Sequence, residues 1–480
     1  MTDRPSTTEV AEQDTEARWR AQIAKELRGR TFESLLAKSE DGLQIEPLYT
    51  GRHLEELDCL DPFPGRGLNA RGFASRRDGH WKICPELALD DPQMLVHMAA
   101  EQAALGADVA WCRFVPTPGP RVGRDNSGIR GCSLRAVASS IAGVAAAKLP
   151  LIVETGAVAS PIAAAMERHG DTFSGVSLTI DLFGDRAARG VVAASREVIE
   201  EELRACLSWV KDREGTDVRL LCATQPFHEA GATAAQELGI AMSLLVGTLR
   251  QVEDSGADFE QALRALLIRV SVGRDLFTEI AKLRAVRVLW SQVMGACGFG
   301  TMHHEVEIAA RGSWRERTAV DPWVNLLRGT TETFAAAVGG ASMITTVPMH
   351  AALPGESEMA RRLATNTQVL LRRESHVGEV MDTAGGSYYV EWLTNSLALE
   401  GWKWFQRIEA CGGIATALQT NAIHEWIAEK RGAQDQRVAD RTLAIIGVSD
   451  FPASGSSAPR DYRVPSPSRR GGGASHLIPR

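Results

Sequence analysis

The stretch Ala223-Thr224-Gln225-Pro226-Phe227-His228-Glu229-Ala230-Gly231-Ala232 offers the chain's clearest candidate for acid–base chemistry. It follows an apolar run at 218–223 and precedes a helical pattern. His228 is therefore expected at a strand-to-helix junction, next to a helix N-terminus able to hold an anion. A histidine there can act as a general acid or donate a hydrogen bond to a thioester carbonyl. His228 and Glu229 can equally cap the helix and pack the loop, and the sequence leaves both roles open.

Other chemistry-bearing types are less well spaced. Met302-His303-His304-Glu305-Val306-Glu307 looks like a metal cluster. In a strand, however, alternate residues face opposite sides, so His303 and His304 cannot easily share one ion. No third ligand is spaced to help, and no metal site is expected. Asp382-Thr383-Ala384-Gly385-Gly386-Ser387-Tyr388-Tyr389 has a glycine pair able to approach a phosphate, or to make a tight turn into the next segment. Lys282, Arg284 and Arg287 share one helical segment, where one of them could meet a coenzyme A phosphate; a solvated helix surface is the ordinary reading. No Walker-A or G-x-G-x-x-G loop follows a strand, so nucleotide-dependent transfer has no support.

The elements that must position these groups alternate. Strand candidates lie near 71–74, 109–114, 149–154, 176–182, 218–223, 267–272, 305–310 and 342–347. Helical patterns follow most of them, at 92–105, 134–147, 158–168, 194–210, 229–252, 277–295, 322–338 and 356–374. Such alternation predicts an α/β chain folded as a (β/α)8 TIM barrel, with functional groups at the C-terminal ends of the strands. Ahead of the barrel, residues 1–50 form an arm with helical spacing from Ala17 to Ala37. The barrel spans 51–411, a helix near 414–431 and a linker fill 412–452, and 453–480 is a basic Gly/Ser/Pro-rich tail expected to be disordered.

Composition limits the function classes. The chain has 480 residues, 44 % of them hydrophobic and 24 % charged, as in a soluble globular protein. A net charge of -7 argues against a general nucleic-acid binder but leaves room for a local basic patch facing a coenzyme A ester. The eight cysteines form no C-x-x-C pair, and most sit in apolar surroundings suited to buried thiols. The longest apolar run, Ile141 to Val153, is cut by Lys148 and Pro150. With no signal peptide or membrane span in view, the cytoplasm is the expected compartment.

Three stretches carry a family resemblance. Phe277-Thr-Glu-Ile-Ala-Lys-Leu-Arg-Ala-Val-Arg-Val-Leu-Trp290 resembles the helix before the seventh strand in acyl-CoA mutases of the methylmalonyl type. Asp321-Pro322-Trp323-Val-Asn325 is similar to that family's D-P-Y-N-N segment. Asn366-Thr367-Gln368, Glu374-Ser375 and Gly385-Gly386-Ser387-Tyr388-Tyr389-Val390-Glu391 continue the match in order. The resemblance implies a barrel through which a CoA arm threads. It also implies adenosylcobalamin held by a separate C-terminal domain with a D-x-H-x-x-G motif, which this sequence does not contain.

The active-subunit positions depart from that pattern. Ala70 stands where the family's R-Q-Y-A-G tyrosine belongs, and Pro226 falls in strict register with its catalytic histidine. His228, two residues on, fits the F/Y-H-[DE]-A-G-A form of the small subunit. Ala309 and Arg311 replace the substrate-binding H-x-Q. The resemblance therefore implies a small, non-catalytic subunit. Its heterodimer partner would be a large subunit holding adenosylcobalamin and interconverting (R)-methylmalonyl-CoA and succinyl-CoA in propionate metabolism. No catalytic residue is expected in this chain, with His228 the fallback candidate; no cofactor site is expected and the substrate contacts are unknown. The arm ending Gly42-Leu43-Gln44-Ile45-Glu46-Pro47-Leu48-Tyr49-Thr50 matches small subunits, whose arms wrap the partner. Two alternatives stand beside this: a catalytic acyl-CoA barrel served by a separately encoded cobalamin protein, and a truncated, decaying small subunit.

Overall fold

The computed structural model describes residues 7–452 apart from 56, 58–62, 74–78, 88–91, 116–128, 131–132, 171–172, 191–193, 212–215, 300–304 and 354–356. Its centre is a parallel sheet of eight strands. They are β1 (82–87), β2 (Ala110–Val115), β3 (Leu151–Glu154), β4 (Val176–Ile180), β5 (Thr216–Ala223), β6 (Leu266–Val272), β7 (Glu307–Gly312) and β8 (Met343–Thr345). Neighbours in sequence are neighbours in the sheet. β1 is split into Lys82–Ile83 and Glu86–Leu87 by Cys84-Pro85. The first piece pairs with β8, Lys82 opposite Met343, and the second with β2, Glu86 opposite Trp111. One strand thus joins the first and last of the series, and the sheet closes as a TIM barrel.

Strand side chains alternate between two cores. Ile83, Leu87, Ala110, Cys112, Leu151, Val153, Leu220, Ile268, Val270, Ile308 and Ile344 face outward into one large cluster shared with the helices. Cys84, Trp111, Ile152, Leu221, Leu267, Ala309 and Met343 form a second cluster inside the barrel.

The helices used below are α1 (Thr7–Glu26), α2 (Leu134–Ala146), α3 (Gln225–Ala230), α4 (Ala234–Ser255), α5 (Leu276–Ala296), α6 (Pro322–Val338), α7 (Glu358–Arg373), α8 (Tyr388–Ala410), α9 (Gly413–Gln419) and α10 (Ala422–Ala439). Their starts are specified locally. Ser133, Asp275, Asp321, Ser357 and Ser387 accept first-turn amides of α2, α5, α6, α7 and α8, and Thr233 with Gln236 makes a reciprocal cap on α4. Helix α8 lies against α4 at a crossing made of small residues. A Cβ on Gly239 would sit 2.9 Å from the Gly401 carbonyl, and one on Gly401 would sit 2.7 Å from Leu238.

Several boundaries differ from expectation. The first strand is not at 71–74: Arg71-Gly72-Phe73 lie in a turn region with Asn69 at φ 58 and Gly72 at φ 120. The true strand was hidden because Lys82 and Glu86 point into the barrel and Pro85 interrupts it. The helix expected at 229–252 is two, broken at Gly231 with φ 112. The N-terminal helix ends at Glu26, where Arg28 and Gly29 take positive φ, and the one near 414–431 breaks at Asn421 with φ 64. The segment from Met302 to His304 and the tail at 453–480 lie outside the described residues. Among the described residues, no helix is long and apolar enough to cross a membrane.

Candidate functional site

Along the barrel axis the inward side chains stack in layers. Near the N-terminal ends of the strands, Glu307 pairs with Arg219 at 2.9 Å and Lys82 at 3.6 Å. Above them lies the apolar layer, whose largest member, Trp111, has no exposed surface. Next comes a charged layer. Arg269 places its guanidinium 3.9 Å from the Trp111 ring centroid and pairs with Glu86 at 3.1 Å and Glu154 at 3.6 Å. The Trp111 indole N–H donates to Glu154 at 3.0 Å. Arg311 pairs with Glu86 at 3.6 Å and Glu229 at 3.3 Å. A cation over an indole and paired with two carboxylates holds both partners where they are. These charged side chains pair with one another on the axis.

His228 sits on α3, buried at the mouth. Its Nε2 is 2.9 Å from the Ser313 hydroxyl and its Nδ1 is 3.3 Å from Glu237 on α4. Glu237 also accepts from the Thr224 hydroxyl at 2.5 Å, the Ser271 amide at 3.0 Å and Lys282 at 2.7 Å. Lys282 reaches Glu279 at 2.6 Å and donates to the Ser271 carbonyl at 2.8 Å. Burial works to raise the Glu237 carboxyl, but the Lys282 ammonium and the His228 ring outweigh it and hold it well below the usual carboxylate range. Glu279 is pushed up, chiefly by burial.

Ser313, His228 and Glu237 therefore stand in the order nucleophile, base, carboxylate. Their surroundings argue for structure instead. Ser313 has no exposed surface, and it is not among the residues lining the small cavity, about 40 Å³, that His228 and Glu237 border. Glu237 is committed to Lys282 and two further donors. The cluster ties β6, the residue after β7 and three helices together.

The other residues singled out are accounted for. Glu229 accepts from the Trp314 and Arg315 amides at 3.0 and 2.6 Å and so fixes the loop after β7. Pro226 starts α3, Ala70 is buried with its carbonyl bonded to Arg287, and Ala309 belongs to the apolar layer. Lys282, Arg284 and Arg287 are not a solvated surface: all three are buried. Arg284 pairs with Asp382 at 3.0 Å and Glu391 at 2.9 Å, and Arg287 donates to the carbonyls of Asn69, Ala70 and Gly339. Their charges were legible; their partners, distant in sequence, were not. The Gly385-Gly386 pair makes the turn into α8. Among the described residues no group of three or more His, Cys, Asp or Glu side chains is placed to hold a metal. Trp111, Arg269, Glu86 and Glu154 escaped sequence reasoning, although an arginine inside the run Leu266-Leu-Ile-Arg269-Val-Ser-Val272 was a signal.

The sequence profile of the family described as methylmalonyl-CoA mutase matches residues 38–468. The chain belongs to the methylmalonyl-CoA mutase family. A "Probable methylmalonyl-CoA mutase small subunit" of Mycobacterium tuberculosis is 35 % identical over 447 residues, covering 90 % of this chain and 69 % of that protein. The methylmalonyl-CoA mutase small subunit of Streptomyces virginiae is 33 % identical, covering 89 % and 68 %. The large subunit of the same organism is 26 % identical, covering 90 % of this chain and 61 % of that protein. Within this mutase family the resemblance implies a CoA arm threaded along the barrel and adenosylcobalamin above its mouth. Trp111 and Arg269 are buried on the axis in this chain, and no step is assigned to the CoA arm or to adenosylcobalamin here.

Proposed function

We propose that this chain is the structural small subunit of an adenosylcobalamin-dependent methylmalonyl-CoA mutase, paired with a large subunit that holds the cofactor and carries out the reaction. The complex interconverts (R)-methylmalonyl-CoA and succinyl-CoA. The observation that carries this reading lies on the barrel axis, where Trp111, without exposed surface, sits under an arginine paired with two carboxylates. Radical chemistry needs a channel that brings substrate to the cofactor and shields the intermediates. The similarity to small subunits over about nine-tenths of the chain supports the same conclusion. The arm at 1–50 and the exposed α1 are the parts assigned to the partner.

The test is turnover of methylmalonyl-CoA, with adenosylcobalamin present, by this chain alone, by its large subunit alone, and by the two co-expressed. Activity is expected only where the large subunit is present, with this chain raising its yield or stability. His228→Asn is expected to leave the turnover of the complex unchanged. Turnover by this chain without a large subunit, abolished by His228→Asn, overturns the reading and makes this barrel a catalyst.

A further inference from the structure

The arm does not merely extend from the barrel. Ala37–Lys38 and Gln44–Ile45 pair as a short antiparallel hairpin, and its turn lies over the mouth beside His228. Ser39, Glu40 and Asp41 line the same small cavity as His228, Glu237 and Lys282. Several contacts hold the turn, among them a side-chain hydrogen bond between Asp41 and Thr233. Asp41 accepts from the Ala235 amide at 3.1 Å, in the first turn of α4, and Glu40 accepts from Gln434 on α10 at 2.7 Å. Leu43 and Ile45 rest against the edge of the core without being buried.

We infer that this hairpin is a latch over the barrel mouth, fastened by Asp41 on α4 and opening as a unit while the barrel stays folded. From Arg28 to Thr50 every residue is exposed or half-buried. A segment that buries so little opens at far lower free energy than the strands beneath it. The Ala235 amide makes the coupling readable. It lies in the first turn of its helix, where an amide has no partner within the helix, so its protection comes from Asp41. Helix α1 precedes the latch, and from Thr15 to Glu26 none of its residues is buried, so a partner that grips α1 pulls on the segment covering His228. That last consequence rests on the proposed heterodimer; the latch does not.

Hydrogen exchange of the full chain, followed by mass spectrometry, tests the latch without any large subunit, so its failure is separate from failure of the subunit reading. Amides of residues 39–45 and of Ala235 are expected to exchange together, well before those of β5 and β6. Asp41→Ala is expected to speed both about tenfold, the loss of one capping interaction, with the β5 and β6 amides unchanged. Carbethoxylation of His228 by diethyl pyrocarbonate is expected to accelerate in parallel. Gln434→Ala, at an exposed contact, is the second variant and shifts exchange in the same direction. Exchange of the 39–45 amides only at the barrel's own rate, or a His228 modification rate untouched by Asp41→Ala, overturns the latch.

Discussion

The guanidinium of Arg269 lies 3.9 Å from the centroid of the Trp111 ring, and the two side chains meet inside the barrel. Neither residue matches a motif.

Trp111→Ala is expected to cost about 3–5 kcal/mol, the range for emptying a large buried aromatic position. Urea unfolding measures it. The variant is also expected to give no mutase turnover on its own, since Arg269 and Arg311 remain in the path. A loss below about 1 kcal/mol would mean that the ring is loosely held.

Glu237→Gln takes from the buried Lys282 one of its two carboxylates, leaving Glu279, and is expected to cost about 1.5–3 kcal/mol at pH 7. The double variant Glu237→Gln with Lys282→Met is expected to recover much of that loss, which a double-mutant cycle reads. The folded-state carboxyl titrates below its unfolded value, so its contribution is present above the unfolded pKa and lost as pH falls through the folded one. The gap between wild type and Glu237→Gln should therefore narrow in acid. A gap that widens in acid would contradict the pairing.

Asp181 has the opposite sign. Burial and then the nearby Glu154 raise its carboxyl to about 7, against amides of Phe183 and Gly184 that favour ionisation. The native state then binds more protons than the unfolded state between the two pKa values, and stability falls as pH rises through that window. Asp181→Asn keeps an acceptor for both amides and removes the charge. It is expected to raise Tm at pH 8 and to leave it nearly unchanged near pH 4. Thermal melts across pH give the answer, and a Tm lowered at pH 8 would refute it.

Arg284→Met removes one of the two arginines that Asp382 and Glu391 share, leaving Arg71 at 3.2 Å from each. A loss of about 2–3 kcal/mol is expected, the cost of losing buried charge-assisted hydrogen bonds. On the solvated helix surface that the sequence suggests, the same change would cost less than about 0.5 kcal/mol. Chemical denaturation separates the two outcomes.

The comparison of sequence with structure turns on which patterns are local. Strands such as Leu266–Val272 were legible because their outward face, Leu266, Ile268, Val270 and Val272, is apolar throughout, and helix starts such as Asp321-Pro322 were legible because capping chemistry is local. The split β1 was not, since its inward Lys82 and Glu86 break the apolar run and find partners on β6 and β7, far along the chain. Helix α8 was missed for a related reason. Its N-cap Ser387 was visible, but Gly401 reads as a breaker until the close approach of α4 explains it. At the site, the absence of the expected tyrosine, histidine and H-x-Q residues pointed to a barrel without catalysis. What replaces them on the axis depends on side chains from five strands meeting at one height, which spacing along the chain does not encode.

The divided first strand also sets the order in which this barrel can be completed. Lys82 and Ile83 hydrogen-bond to β8, while Glu86 and Leu87, a few residues on, hydrogen-bond to β2. On the ribosome the Glu86–Trp111 edge can form early, while the Lys82 edge waits until residue 343 has emerged from the exit tunnel. Until then β1 is paired on one side alone, and the Lys82 and Cys84 amides lack the Ser342 and Ile344 carbonyls they bond in the finished barrel. A nascent chain stalled between β2 and β8 would thus display an open sheet edge, and this single seam is where synthesis and chaperones meet the fold.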